Sequence, residues 1–363
     1  MSKLSDFKFS AGPWNIHTGA DPFGPPVRKD RTFAEKLAIL KKLQFDYVQF
    51  HDDDVVPDEA SSRERERIAR DMRNLLDSEG MKAEFVAPRI WEDPRTIDGA
   101  ITSNNRADRA YAVERGKRSV DIANILGTHK IVLWPAREGT YIREAKDAVA
   151  ATQHVLDFCN ALLKYDSKCL ILGEMKPNEP MDLMYLPSTG HFLALAYKTA
   201  DPSRVGVLIE SAHSILLGLD PADEMAYAIW HKKLWGVHLN DQNGLKFDED
   251  KAFGSVNLRR AFNQVDVLVR NGYGKKGEVV GLDVKAMRTQ PFEKAHLHLQ
   301  NSRETFLALA RLSLSIDRKA WQGYVAERDY EGLEMFILKA LRASEDSPQR
   351  AQWASTQRRK ETG

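Results

Sequence analysis

Residues 204–240, RVGVLIESAHSILLGLDPADEMAYAIWHKKLWGVHLN, begin and end with short apolar runs, RVGVLIE and LWGVHLN, separated by a segment of helical spacing. Two buried strands joined through a helix form a parallel unit, because the chain has to return to the starting edge before the next strand can pair. The same alternation recurs along the chain. Further runs are FKFSAGPW from Phe7, DYVQFH from Asp46, KAEFVAP from Lys82, KIVLWP from Lys130, CLILGEMK from Cys169 and EVVGLDVK from Glu278, which makes eight in all. Between them lie helical patterns such as TFAEKLAILKKL from Thr32, with Thr32 as N-cap, and RADRAYAVERGKRSVDIANILG from Arg106, closed by a glycine. Eight strand-helix units in one chain predict an α/β protein, a (β/α)8 barrel rather than an open sheet. The barrel is expected over residues 1–311. From Leu312 strand signal stops, and residues 312–363 read as an extended helical C-terminal arm packing on the barrel or a neighbouring subunit. Its Trp321, Tyr324, Phe336, Ile337 and Trp353 need a surface to cover.

The 363 residues include 53 basic and 52 acidic side chains. This balance argues against a partner selected by bulk charge, such as nucleic acid or an anionic membrane, and points to a small-molecule substrate. Two cysteines, Cys159 and Cys169, fit free thiols in a reduced compartment. No uncharged apolar stretch reaches the ~18 residues of a membrane span, so the expected location is the cytoplasm. AGPWNIHTGADPFGPP is rich in Gly and Pro, but it lacks the glycine spacing and following lysine of a phosphate-binding loop.

In a barrel of this kind chemistry sits where strands end. Read in order, those ends carry His51 with Asp54, Trp134, Glu174 with Lys176, Glu210 with His213, His238, and Asp283. Taken singly, each has an ordinary explanation as a helix cap, a surface ion pair or a bonded core histidine. A barrel brings them all into one mouth, and so many carboxylates cannot stay ionised together without cations. LNDQNGLKFDED adds Asp248 and Asp250, alternate residues able to present two oxygens to one ion. Oxygen ligands with one or two imidazoles suit Mg²⁺, Mn²⁺ or Co²⁺, and the lack of thiolate argues against structural zinc. Glu210 is central enough to bridge two ions, and Lys176 shares a strand face with Glu174, placed to donate to a developing oxyanion.

FHDDDVVPDE from Phe50 and EMKPNEP from Glu174 resemble the histidine and lysine motifs of the xylose isomerase family, a TIM-barrel sugar isomerase superfamily. DPFG at Asp21, WPAREG at Trp134, LNDQNGLKFDED at Leu239 and LDVK at Leu282 follow in the family's order. The resemblance implies a homodimeric or homotetrameric aldose-ketose isomerase of carbohydrate metabolism, an intramolecular oxidoreductase with two divalent cations per subunit and a metal-assisted hydride shift. It gives His51 ring opening, Asp54 the orientation of that imidazole, and Lys176 donation to the substrate oxygen. Glu174, Glu210, His238 and Asp283 would form one metal site, and Glu210, His213, Asp248 and Asp250 the other. Trp14 and Trp134 would wall a dry pocket, and Phe23 matches an aromatic inserted into a neighbouring subunit's site.

Several positions depart from the family. His238 stands where it has aspartate, so the first site holds less negative charge and is expected to favour Mn²⁺ or Co²⁺ over Mg²⁺. APRIW places Ala87, Arg89 and Trp91 at the pocket edge in place of threonines, an asparagine and a phenylalanine, and Arg89 is expected to read an acidic or modified sugar. Leu208 replaces an asparagine. These changes put xylose itself in question. The main alternative is a sugar epimerase, or an enzyme acting on keto-sugars or glycosides, that abstracts a proton with one ion and a carboxylate base. A metal-dependent nuclease and a non-catalytic metal-binding barrel are further alternatives from other classes. Asp52 and Asp53 are expected as caps or ion-pair partners rather than chemistry.

Overall fold

The computed structural model describes residues 1–245 and 247–345, so Trp353 lies outside the described residues. Among the described residues ten strands form, β1 Phe9–Ala11, β2 Tyr47–His51, β3 Lys82–Ala87, β4 Lys130–Leu133, β5 Gly139–Thr140, β6 Leu170–Glu174, β7 Leu183–Met184, β8 Val205–Glu210, β9 Leu234–Leu239 and β10 Val280–Leu282. Eight of them close into a parallel barrel in the order β1-β10-β9-β8-β6-β4-β3-β2. Each of the eight runs read from the sequence supplies one barrel strand. β5 and β7 form a separate antiparallel pair. They were not legible, because two residues carry no periodicity.

The main helices are α1 Phe33–Lys42, α2 Asp52–Val55, α3 Ser62–Ser78, α4 Arg106–Leu126, α5 Ala148–Tyr165, α6 Thr189–Ala196, α7 Ser211–Leu216, α8 Pro221–Trp230, α9 Leu258–Arg270, α10 Leu297–Ser315, α11 Arg318–Glu327 and α12 Tyr330–Glu345. α1 starts on a reciprocal cap, with Thr32 Oγ1 accepting from the Glu35 N–H at 3.3 Å and the Glu35 carboxylate accepting from the Thr32 N–H at 2.7 Å. α4 ends at Gly127, whose φ of 83° belongs to the left-handed region. A Cβ there would also lie 1.8 Å from the Arg73 guanidinium, which would have to swing aside.

Alternation along the strands separates two packing faces. Phe9, Val48, Phe50, Ile171, Val207, Ile209, Val237, Val280 and Leu282 join the main core between the barrel and its helices. Leu172 and Leu208, at the intervening positions, pack instead with Phe85, Ala87 and Val132 inside the barrel. By the same alternation Glu174, Glu210, His238, His51 and Asp283 point inward above that apolar floor. Leu208 is therefore a floor residue, which explains an apolar side chain there.

The C-terminal helices fold back on their own barrel. α10 packs along α9, and α12 returns onto α10 with Ile337 and Leu341 buried in the main core. Trp321 and Phe336 pack against that core at its edge, and Tyr324 lies 5.7 Å from the Phe336 ring. Among the described residues no helix is long and apolar enough to cross a membrane.

The acidic run after β2 is divided among different partners. Asp52 is fully buried, accepts the Arg89 N–H at 2.8 Å, and pairs with Arg115 at 3.2 Å and Arg118 at 3.6 Å. Asp53 pairs with Arg89 at 2.8 Å and Arg115 at 3.5 Å. Both are ion-pair partners, as expected. Removing one member of such a buried pair leaves the other charge uncompensated, so Asp52→Ala is expected to cost about 3 kcal/mol of stability in urea unfolding. A loss below about 1 kcal/mol would contradict a structural role for Asp52.

Candidate metal centre

Glu174 and Glu210 are the last residues of β6 and β8, His238 pairs in register with Glu210 across β8 and β9, and Asp283 follows β10 directly. His238 Nδ1 lies 2.9 Å from Glu174 Oε1, 3.6 Å from Glu210 Oε2 and 4.0 Å from Asp283 Oδ2. One donor atom from each of these four residues falls within 4.8 Å of the others. Ligands bound ~2.0–2.6 Å from a single ion are spaced in this way. Glu210, His213 and Asp248 form a second group of the same compactness. Its His213 Nε2 is 3.3 Å from Glu210 Oε1 and 3.1 Å from Asp248 Oδ2. Glu210 thus turns one oxygen toward each group. Asp248 Oδ1 is buried without a hydrogen-bond partner, as an atom awaiting a ligand would be.

Asp250, expected in the second group, is not brought into it. Asn240 donates to its carboxylate at 3.0 Å, and the Lys285 ammonium forms a close ion pair with it. Lys176 lies where expected, with its Nζ 2.9 Å from Asp248 Oδ2, 3.1 Å from Glu179 Oε2 and 5.5 Å from the Trp134 ring. His51 Nδ1 is 3.1 Å from Asp54 Oδ2, which also accepts the His51 N–H at 2.8 Å.

Three tryptophans wall the mouth. Trp14 lies over His51 at 4.4 Å, Trp91 meets His51 at 5.3 Å, and Trp91 and Trp134 meet edge to face at 4.7 Å. Trp14 also donates Nε1–H to Asp283 Oδ1 at 3.0 Å, an orienting role its sequence position did not reveal. Phe23 is 83% exposed at the rim, 6.0 Å from the Phe247 ring. Arg89 stands at the pocket edge, but its nitrogens are already engaged. Nε bonds Asp53 at 2.8 Å, Nη1 bonds Glu92 at 2.9 Å, and Nη2 lies 3.3 Å from Asp54. That arrangement weighs against the expected recognition of an acidic sugar.

Asn15, Asn240 and Lys285 were missed. Asn15 Nδ2 donates to Asp283 Oδ1 at 3.0 Å, and Asn240 Nδ2 donates to Glu210 Oε1 at 2.8 Å. Each adjoins a residue already singled out: Asn15 follows Trp14, Asn240 follows β9, and Lys285 lies two beyond Asp283. Asparagine at a strand end reads as a loop former, which hid Asn240.

Buried together, these groups shift one another. Burial opposes a charged imidazole at His238, but Glu174, Glu210 and Asp283 outweigh it and hold the ring protonated well above its usual range. Burial likewise opposes ionisation of Glu174, yet His238 and His213 bring its carboxyl down to about 2. Glu210 is pushed well up by burial and by Asp248. Protonated imidazoles thus balance part of the carboxylate charge.

A family model described as xylose isomerase-like TIM barrel matches residues 37–268, more than half of the chain. Solved structures with the same fold include a D-tagatose 3-epimerase-like protein, 16% identical over 85% of this chain and 100% of that one, with a TM-score of 0.61. The IOLI protein, solved with a zinc atom, is 13% identical over 85% of this chain and 100% of that one, TM-score 0.58. The 3-keto-D-glucoside 4-epimerase YcjR from E. coli is 14% identical over 82% of this chain and 99% of that one, TM-score 0.57. At these identities the likeness is one of fold.

Mn²⁺ is expected to stabilise the protein by about 2.7 kcal/mol at a hundred times its Kd, read as a shift in the unfolding midpoint. Glu174→Gln and Asp283→Asn should each abolish most of that shift, and Asp250→Asn should retain it. Because His238 has to lose its proton before it can ligate, binding should release protons and tighten as pH rises. Calorimetry in two buffers of different ionisation enthalpy measures that release.

Proposed function

The chain belongs to the xylose isomerase-like TIM barrel family, and from that premise we propose that it is a divalent-metal-dependent sugar isomerase interconverting an aldose and a ketose. The reading rests on one observation above all: Glu174, Glu210, His238 and Asp283, from four different strands, converge with the spacing of a single coordination sphere. Three carboxylates and an imidazole suit Mn²⁺ or Co²⁺ and accept Mg²⁺. A divalent ion there supplies Lewis-acid polarisation of neighbouring hydroxyl or carbonyl oxygens. Glu210, His213 and Asp248 would hold the second of two ions per subunit. Lys176, pinned by Asp248 and Glu179, donates to the substrate oxygen that gains negative charge. His51, backed by Asp54, bonds the substrate at the ring-opening end. Trp14, Trp91 and Trp134 keep water from the reacting carbons.

The reading extends to a cytoplasmic homodimer or homotetramer, with exposed Phe23 at a subunit contact. A second reading, epimerisation or chemistry on keto-sugars and glycosides by proton abstraction, has its own support. Asp250 is held by Lys285 outside the second group, which leaves one complete four-ligand set for a single ion. Two of the fold relatives carry epimerase names.

A screen of aldoses, ketoses, uronic and keto-sugars with Mn²⁺, Co²⁺ and Mg²⁺ in parallel tests the reading. Turnover should be greatest with Mn²⁺ or Co²⁺, and activity on xylose with Mg²⁺ alone would contradict the metal preference. Lys176→Met should lower kcat by about 10²–10³-fold. Unchanged turnover in both Lys176→Met and His51→Asn would remove the assigned site. Reaction in deuterated water separates the two readings, since a hydride shift retains the substrate hydrogen and proton abstraction brings in solvent deuterium.

A further inference from the structure

We propose that Arg89 sets the tautomer of His51, holding the ring proton on Nε2 so that the imidazole faces substrate as a hydrogen-bond donor. The consequence for substrate rests on the sugar-enzyme reading above; the tautomer itself does not.

His51 Nδ1 has two polar neighbours, Arg89 Nη2 at 2.8 Å and Asp54 Oδ2 at 3.1 Å. In a neutral imidazole that nitrogen carries either a proton or a lone pair, so it satisfies one neighbour and not both. A guanidinium offers donors only and stays charged. A proton on Nδ1 would point toward the nearer, cationic donor. A lone pair there accepts from Arg89, and the proton then resides on Nε2.

Asp54 does not need that proton. Its Oδ2 already accepts the His51 backbone N–H at 2.8 Å, and its Oδ1 faces Arg89 Nη2 at 3.3 Å. Asp54 thus has donors at both oxygens without the ring proton, and it serves as the return half of a capping box on α2. The arginine is held as firmly. Asp53 and Glu92 take two of its nitrogens, and Asp52, itself anchored on Arg115, accepts its backbone N–H. Trp14 at 4.4 Å and Trp91 at 5.3 Å fix the ring between them. A flipped ring would turn a carbon toward both Arg89 and Asp54.

A ring with Nε2–H donates to an oxygen and cannot take a proton at that atom. His51 would therefore polarise the ring or carbonyl oxygen of a sugar by hydrogen bonding, with no proton transferred. Any base in the reaction would then be another group, such as one of the carboxylates of the cluster. Arg89 is a positioning residue in this arrangement.

Long-range ¹H–¹⁵N correlation spectra of the full-length, ¹⁵N-histidine-labelled protein, at a pH where the ring is neutral, read the tautomer directly. The His51 signals are assigned by their loss in His51→Asn. The expected result is a protonated Nε2 and a bare Nδ1 in the native protein. In Arg89→Leu the proton should move to Nδ1 and bond Asp54, whereas in Asp54→Asn it should remain on Nε2. Asp54→Asn keeps the test decisive where Arg89→Leu fails to fold. A native Nδ1–H, or an Nε2–H that survives Arg89→Leu, would overturn the proposal, as would a tautomer that follows Asp54 instead. Since the spectra need no substrate, Nε2–H without any sugar turnover would leave the tautomer standing and retire the enzymatic reading alone.

Discussion

Five carboxylates, Glu174, Glu210, Asp248, Asp250 and Asp283, crowd one end of a barrel above a floor of Phe85, Ala87, Val132, Leu172 and Leu208. Anions taken out of water at such spacing repel one another and lose hydration, and only nearby positive charge makes the arrangement stable. The surrounding residues answer that constraint. Lys176 and Lys285 neutralise Asp248 and Asp250, and Glu174, Glu210 and Asp248 strengthen the hold of His238 and His213 on a proton. A divalent ion would meet the same demand with fewer protons, so the cluster suits a metal by charge as well as by spacing.

Geometry at the centre is held by uncharged groups. Trp14 and Asn15 both bond one oxygen of Asp283, leaving the other turned toward His238. Asn240 bonds Glu210 and Asp250 at once, which ties the β9 end to both groups. Beneath them Gly281 leaves room for the Gln49 side chain, since a Cβ there would lie 2.6 Å from Gln49 Nε2 and from the Val237 carbonyl. Such supports limit how far the ligands can drift, and a site is only as precise as the groups that orient its ligands.

The mouth has a second, separate electrostatic system beside the acidic cluster. The run of three aspartates after β2 is matched by Arg89, Arg115 and Arg118, so its charge is spent on building the wall that carries His51. Asp52 ties that wall to α4, Asp53 holds Arg89, and Asp54 caps the short helix that begins beside His51. Adjacent carboxylates that look repulsive in the sequence diverge in space because the chain turns at the strand end.

All eight barrel strands, the Thr32 and Gly127 helix ends and most of the cluster were legible in the sequence. Periodicity, caps and polar strand ends are properties of a residue and its near neighbours, so one chain suffices to read them. Which acids come within one coordination sphere's reach of each other was not legible, because that depends on distances between strands far apart in the chain. Asp248 and Asp250 are equivalent in sequence, yet one faces His213 and the other Lys285. Arg89 read as a free cation at the pocket edge, and only the fold brought Asp53, Glu92 and His51 to it. Local patterning along the chain is enough to specify the barrel and the residue types at its mouth. The tertiary structure decided which charge meets which, because pairing in a buried site is settled by ångströms that no spacing along the chain records.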